Sequence, residues 1–241
     1  MEPIEVLYED NHLIAVVKPP GVPSQEDDSG AADMLTLVKA DLKRRHGKPG
    51  DVFLGLVHRL DRPVGGVMLF AKTSKAASRL SEAVRSRSFE KCYLAVLSGI
   101  PADQEGTLVH YLRKDARTNT VKAFNQPQPN AKEAVLDYAV TAAADGMALT
   151  AVRLHTGRTH QIRVQTAAIG CPLAGDRKYG TDSRRTDRPD SPALWSASVG
   201  VEHPVTRTWL TFAALPPADT NPWHRFSAAQ LEAAAARFRS Q

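Results

Sequence analysis

The sequence predicts an α+β protein built on a mixed, mainly antiparallel sheet with flanking helices. Two observations predict it. Strand-like runs outnumber helical ones along the 241 residues. The helical segments also come at irregular intervals, which excludes a chain of repeated β-α-β units. A chain of this length can bury a substantial core as one large domain or two small ones.

The elements follow in order. Ile4–Tyr8 and Leu13–Lys18 read as short strands around an Asp10-Asn11 turn, and Pro19, Pro20, Gly21 and Pro23 then force a loop. Met34 to Arg45 reads as a helix, because Met34, Leu35, Leu37, Val38 and Leu42 fall on one face. Gly47 and Pro49 stop it. Val67–Ala71 is an apolar strand, and Ser74 to Arg85 a second helix with Ala77, Leu80, Ala83 and Val84 turned inward. Tyr93–Leu97, Leu108–Leu112, Ala134–Thr141 and Ala148–Leu154 read as strands. The polar stretch Lys114 to Lys132 lacks helical periodicity and suits loops or a hairpin on the sheet edge. Thr159 to Ile169 suits a helix ending at Gly170. Asp182 to Ser191 is charged, has no apolar residue and reads as a mobile loop. Leu194–Val201 and Thr208–Ala213 supply late strands. Ser227 opens a last, alanine-rich helix, with Gln230 placed for a capping box.

Composition narrows the classes of function. Lys and Arg number 31 against 26 Asp and Glu, a net charge of +5, which suits a polyanionic partner. Basic residues cluster at Lys43, Arg44, Arg45 and Lys48. A second cluster follows at Lys72, Lys75, Arg79, Arg85, Arg87 and Lys91, and a third at Arg184, Arg185 and Arg188. Each suits either a solvated face or a phosphate-contacting surface; the second is favoured for phosphate contact. Cys92 and Cys171 form no C-x-x-C pair, which argues against a disulfide framework or a zinc site, and both sit among apolar residues. The acidic start MEPIEVLYED has no signal-peptide core, and no run is long enough to cross a membrane. A cytoplasmic protein acting as a monomer is expected. Neither a P-loop nor G-x-G-x-x-G is present, so no nucleotide cofactor is expected.

The stretch Val57 to Lys75, VHRLDRPVGGVMLFAKTSK, carries the most chemistry. It sets the carboxylate of Asp61 between Arg59 and Arg62, in a loop that feeds an apolar strand. Loops held by a sheet are where reactive side chains are displayed; an ordinary surface ion pair is the alternative. A second segment, Leu154 to Gly180, reads LHTGRTHQIRVQTAAIGCPLAGDRKYG.

Taken together, H-R-L-D, then G-R-T-H-Q-I-R, then G-D-x-x-Y-G, resemble the RluA-type pseudouridine synthase family. The earlier Lys18-Pro19-Pro20-Gly21 matches its K-P-x-G element and Lys91-Cys92-Tyr93 its K-x-Y strand, so the resemblance spans Tyr8 to Phe212. It implies the pseudouridine synthase fold with an active-site cleft across the sheet. Many members of the family carry a small RNA-binding domain ahead of the catalytic one; with only a few residues before the first strand, a single catalytic domain over 1–241 without that separate N-terminal domain is expected here. The implied activity is isomerisation of uridine to pseudouridine in ribosomal or transfer RNA, with RNA as partner and neither cofactor nor metal. A catalytically silent RNA-binding member of the fold is the rival reading. A metalloenzyme using His58, His155 and His160 is a weaker one, since His155 and His160 do not share a helical face and no carboxylate follows close in sequence.

The resemblance assigns Asp61 as nucleophile, Tyr93 as the ring that stacks on uracil, and Arg163 as the cation that pairs with the nucleophile. Arg59 takes the place of the flipped base in the stack. Arg158, after Gly157 near a helix start, suits a phosphate. His58, Arg62, Lys18, Arg79, Arg85 and Arg87 complete the expected RNA-binding set, while Asp176 and Tyr179 are expected to shape a turn. Two departures stand out. Val64-Gly65-Gly66 replaces the family's Thr-Ser-Gly, so the loop must be held without that hydroxyl pair, by the stiffness of Pro63. Gln165 replaces a common His. Both bear on substrate preference more than on activity.

Overall fold

A computed structural model describes residues 3–47, 49–180 and 191–239. The loop expected at Asp182–Ser191 therefore lies, Ser191 apart, outside the described residues, as do Lys48, Arg184, Arg185 and Arg188. In chain order the elements are β1 (Val6–Glu9), β2 (Leu13–Lys18), α1 (Met34–Arg45), β3 (Gly55–Leu56), β4 (Gly65–Ala71), α2 (Ser74–Arg85), β5 (Glu90–Ser98) and β6 (Glu105–Asp115). β7 (Thr120–Phe124), β8 (Lys132–Ala144), β9 (Met147–Leu154), α3 (Gln161–Ala168), β10 (Leu194–Glu202), β11 (Trp209–Ala213) and α4 (Ala228–Ala236) follow. The fold is α+β with a mixed, mostly antiparallel sheet: the β1–β2, β2–β4, β3–β4, β5–β9, β6–β7, β6–β8, β8–β9 and β10–β11 ladders are antiparallel, and an isolated parallel bridge joins Gly99 and Met147. Contacts gather the chain into two compact units, Met1–Glu90 with Ser196–Ala214, and Lys91–Trp195 with Leu215–Gln241.

In the first unit β2 lies between β1 and β4, and β10 follows β4 with β11 beyond it. The β2–β4 register sets Leu13 opposite Ala71 and Lys18 opposite Gly66. Every residue of β4 is buried, which explains why it reads as a continuous apolar run rather than an alternating one. Val67, Leu69 and Ala71 pack with Leu13, Ala15, Val199, Val201, Phe212 and the α2 residues Ala76 and Leu80. Ala77, Ala83 and Val84 pack against this cluster only in part, because the burial stripe of α2 is centred on Ala76 and Leu80. Thr73 starts α2 by accepting the amide of Ala76 at 3.2 Å. Burying Leu80 contributes roughly 2 kcal/mol, and this platform carries the loop that ends in β4.

The second unit is an antiparallel meander in the order β5-β9-β8-β6-β7. β6 and β7 form the hairpin expected within the polar stretch. β8 turns into β9 through Asp145 (φ 51°) and Gly146 (φ 76°), the two left-handed residues a tight hairpin needs. On this sheet Leu112, Val121, Ala134 and Val164 make a small core. α4 begins with the full capping box between Ser227 and Gln230. Several boundaries differ from expectation, the starts of α3 and β1 among them. α3 starts at Gln161 rather than Thr159, because His160 takes a left-handed conformation at φ 53° and so cannot continue a helix backwards. β1 starts at Val6 rather than Ile4, and a register shift interrupts its ladder between Val6 and Tyr8. Cys92 and Cys171 are buried and form no disulfide with each other. Among the described residues no helix is long and apolar enough to cross a membrane.

Candidate active site

Two constellations hold the candidate residues, one in each unit. In the first, Asp61 is half-buried on the loop before β4, between the exposed Arg59 and Arg62. The loop is fastened by backbone. Asp61 O accepts the amide of Val64 at 2.9 Å, closing a turn, and Val64 itself is buried. Leu60 is buried too and exchanges two hydrogen bonds with Ser24, its amide donating to Oγ at 3.1 Å and its carbonyl accepting from Oγ at 2.7 Å. This inward Leu60 leaves Arg59 facing solvent, as an extended segment requires.

The Lys18–Gly21 element clamps the same loop. Gly21, at φ 87°, donates its amide to Arg62 O at 2.8 Å and accepts Arg62 Nε at 3.0 Å. Lys18 is fully buried, and its Nζ donates to Pro19 O at 2.9 Å and to Arg62 O at 3.0 Å. One carbonyl next to Asp61 thus takes two donors. Burial pushes the Lys18 ammonium down to about 7, opposed by the charge of Asp61 and helped by that of Arg62. The expected cleft lysine is a buried prop beneath the candidate nucleophile.

The same reading explains the Val64-Gly65-Gly66 departure. The loop is held by these hydrogen bonds rather than by proline stiffness alone. Gly66 has φ 114°, and a Cβ there would lie 2.3 Å from Ser196 O and 2.6 Å from Ser196 N. Only glycine lets β4 come this close to β10. His58 is buried, with its Nε2 accepting the Leu69 amide at 3.0 Å and its ring 5.1 Å from that of Phe89. Nε2 therefore carries the lone pair and the neutral ring holds its proton on Nδ1. His58 secures the loop to β4 from inside, which differs from the RNA-facing position expected of it.

In the second unit Tyr93 is buried in the middle of β5, opposite Val152. Arg163 is buried on α3 and grips Asp176 with a fork, Nε to Oδ2 at 2.7 Å and Nη2 to Oδ1 at 2.8 Å. Burial alone would raise the Asp176 pKa; the hydrogen bonds and charge of Arg163, with the amides of Lys178 and Tyr179, overcome it and hold it low. The Arg163 guanidinium also lies 5.3 Å from the Tyr179 ring centre. Tyr179 OH accepts the Val121 amide at 2.9 Å and shares a hydrogen bond with His160 Nδ1 at 2.7 Å. Each marked residue of G-D-x-x-Y-G has a task here. Gly175 turns the chain at φ 75°, Asp176 and Tyr179 hold Arg163, and a Cβ on Gly180 would strike Asp176 O at 2.5 Å.

The start of α3 is equally knitted. Gln161 Oε1 accepts from Thr156 Oγ1 at 2.8 Å and from the Arg158 amide at 2.9 Å, while its Nε2 donates to Val135 O at 3.1 Å. Arg158 Nε donates to Glu133 O at 2.9 Å, so part of its guanidinium already braces β8. Gln165 is fully buried, its Nε2 reaching Leu108 O at 3.1 Å, Ala134 O at 3.2 Å and His110 Nδ1 at 3.0 Å. That departure sits in the packing of α3 on β6 and β8, away from any exposed substrate surface.

A model of the RNA pseudouridylate synthase family matches residues 12–168. The chain belongs to that family, whose members are isomerases acting on RNA. It is 35% identical over 220 residues to the uncharacterized RNA pseudouridine synthase YjbO of Bacillus subtilis, covering 90% of this chain and 74% of the relative. It is 32% identical over 227 residues to ribosomal large subunit pseudouridine synthase D of Zymomonas mobilis, with 90% and 70% covered. The fold is shared with human RNA pseudouridylate synthase domain containing 1, at a TM-score of 0.74 and 24% identity over 100% of both chains. The synthase motifs named from the sequence fall within the two constellations above.

The remaining basic candidates are placed as follows. Arg79 donates to Pro204 O. Arg85 is an exposed partner of Glu82 one helical turn away, and Arg87 is exposed in a left-handed conformation at φ 64°. Sequence reasoning missed two partnerships. Asp176 as the partner of Arg163 carried a visible signal, its place in G-D-x-x-Y-G. Asp137 carried none: it accepts His155 at 2.7 Å and Arg153 Nη2 at 2.8 Å, a carboxylate brought beside His155 by the β8–β9 register.

Proposed function

We propose that this protein isomerises uridine to pseudouridine in ribosomal or transfer RNA, acting as one catalytic domain with Asp61 as its nucleophile. The observation that carries this reading is the fastening of the Asp61 loop. The Arg62 carbonyl, next in the chain to Asp61, takes both Gly21 N and Lys18 Nζ, and a fastened backbone of this kind suits a preorganised nucleophile. The reaction breaks the bond from C1′ of ribose to N1 of uracil and forms one from C1′ to C5; C5 gives up its proton, N1 gains one, and any bond that Asp61 makes to the nucleoside is broken again before the product leaves. Atoms and electrons balance without an oxidant. The target nucleotide must leave its stack, and the exposed Arg59 supplies a flat cation to fill the gap. Tyr93 offers a ring face for the base, and Arg163 the cation of the resemblance. The ribosomal large subunit, for which one relative is named, makes ribosomal RNA the first to test.

Asp61→Asn tests the reading. The purified variant is expected to form no pseudouridine in ribosomal or transfer RNA while binding either with nearly wild-type affinity. Normal turnover by this variant would overturn the assignment of Asp61. A wild-type protein that binds RNA and leaves every uridine unchanged would favour the silent binding member instead.

A further inference from the structure

Lys91 is a half-buried cation on β5. Among the described residues it makes no ion pair and no hydrogen bond, although burial disfavours its charge. An isolated desolvated ammonium is costly, and a polar ligand is the usual way to offset that cost. Two features show where such a ligand would sit. Lys91 and Tyr93 are alternate residues of β5 and so share one face of the strand. On the opposite face Cys92 is covered by the C-terminal chain, its Sγ 3.3 Å from Phe238 O. The second feature is Gly157. Its backbone is not in the left-handed region, so turn geometry does not demand glycine; a Cβ there would come within 3.3 Å of Lys91 Nζ. The missing side chain makes room for the ammonium.

We propose that Lys91, seated against Gly157, binds a backbone phosphate of the RNA next to the target uridine. Alternate residues on a strand are about 7 Å apart, the scale of one nucleotide from base to phosphate. A base on the Tyr93 ring would therefore put a phosphate oxygen within reach of Nζ. The inference rests on the functional reading above, in which Tyr93 meets the base.

The test is the salt dependence of RNA binding, measured with one uridine-containing single-stranded oligonucleotide for wild type, Lys91→Met, Lys91→Gln and Gly157→Ala. Loss of one phosphate contact is expected to reduce the slope of log affinity against log salt by about 0.7 in both neutral variants. Lys91→Gln retains a polar head group, which keeps the test available if Lys91→Met fails to fold. Gly157→Ala keeps the charge but displaces it, and is expected to weaken binding several-fold less than Lys91→Met, with the slope unchanged. Wild-type slopes in both neutral variants would overturn the proposal, leaving Lys91 a packing residue. Turnover separates the two readings. An active enzyme with unchanged slopes refutes the Lys91 contact alone, whereas an inactive wild type with the slope difference intact refutes the synthase reading and keeps the phosphate contact.

Discussion

Arg163 and Asp176 form a buried, two-pronged ion pair between α3 and the turn that follows it, with both contacts under 3 Å. The fork uses two guanidinium nitrogens on two carboxylate oxygens, the strongest arrangement available to these groups. Asp176 also accepts the amides of Lys178 and Tyr179. The pair fixes the α3 residue that the family resemblance places in catalysis.

Asp176→Asn should therefore lower stability at neutral pH by about 3 kcal/mol, because it strands a buried guanidinium. The pH dependence has a definite sign. The folded-state pKa of Asp176 is depressed below its ordinary 3.8, so its contribution is complete above about pH 4 and fades as pH falls through the folded value. Urea midpoints from pH 7 down to pH 2.5 should drop more steeply for wild type than for the variant. Parallel curves would remove Asp176 from the acid transition.

Lys18 predicts a slope of the same sign in a higher pH window. Its folded-state pKa is depressed to about 7 by burial, against about 10.4 in an unfolded chain. Between those values the unfolded state binds more protons, so stability rises with pH. Wild type should become more resistant to urea from pH 7 to pH 10, and Lys18→Met should lose this rise. The variant should also lose turnover, since Arg62 O forfeits one of its two donors beside Asp61. Chemical denaturation across that range, with activity measured at pH 7.5, checks both parts.

Gly66→Ala should be among the most damaging single changes in the chain. It combines a left-handed backbone, costing roughly 1–2 kcal/mol, with a clash against the Ser196 backbone that no rotamer can relieve. A total loss of about 3 kcal/mol or more is expected. Gly50→Ala is the control, because a Cβ there meets nothing within 4 Å. Thermal melts of the two variants should separate widely; similar melting temperatures would mean that β4 can move away from β10 at little cost.

Arg85 and Arg87 should make detachable phosphate contacts. The Arg85–Glu82 pair is exposed, 76% and 56% for the two side chains, and such pairs are worth less than about 1 kcal/mol, so a phosphate can compete for the arginine. Replacing both arginines with Ala should flatten the salt slope of RNA binding by about 0.7–0.9 per lost contact, across different RNAs and with little change in melting temperature. Arg79, which holds Pro204 O, should add instability when replaced as well. Titrations at several salt concentrations decide this, and unchanged slopes would make α2 a solvated face.

Much of the local structure was legible in the sequence. The apolar spacing of Met34–Arg45 and Ser74–Arg85 gives the observed bounds of α1 and α2. Ser227 and Gln230 do form the capping box their spacing predicts. The motifs around Asp61, Tyr93 and Arg163 point to the family. These signals act within a few residues, where helical period, cap geometry and turn chemistry are decided by neighbours along the chain. The N-terminus of α3 escaped because a left-handed histidine has no strong sequence signature.

What the tertiary structure alone decided is which of these residues are displayed and which are props. Lys18 meets Arg62 O across 44 residues, Ser24 meets Leu60 across 36, and His155 meets Asp137 across 18. His58 turns inward to the Leu69 amide rather than outward. None of these pairings follows from residue type or spacing, because each depends on strand register and on which face of a sheet is covered. A motif can name the residues of the Asp61 loop; their burial and hydrogen bonds arise only when β2 pairs with β4 and brings Lys18 and Gly21 beneath it.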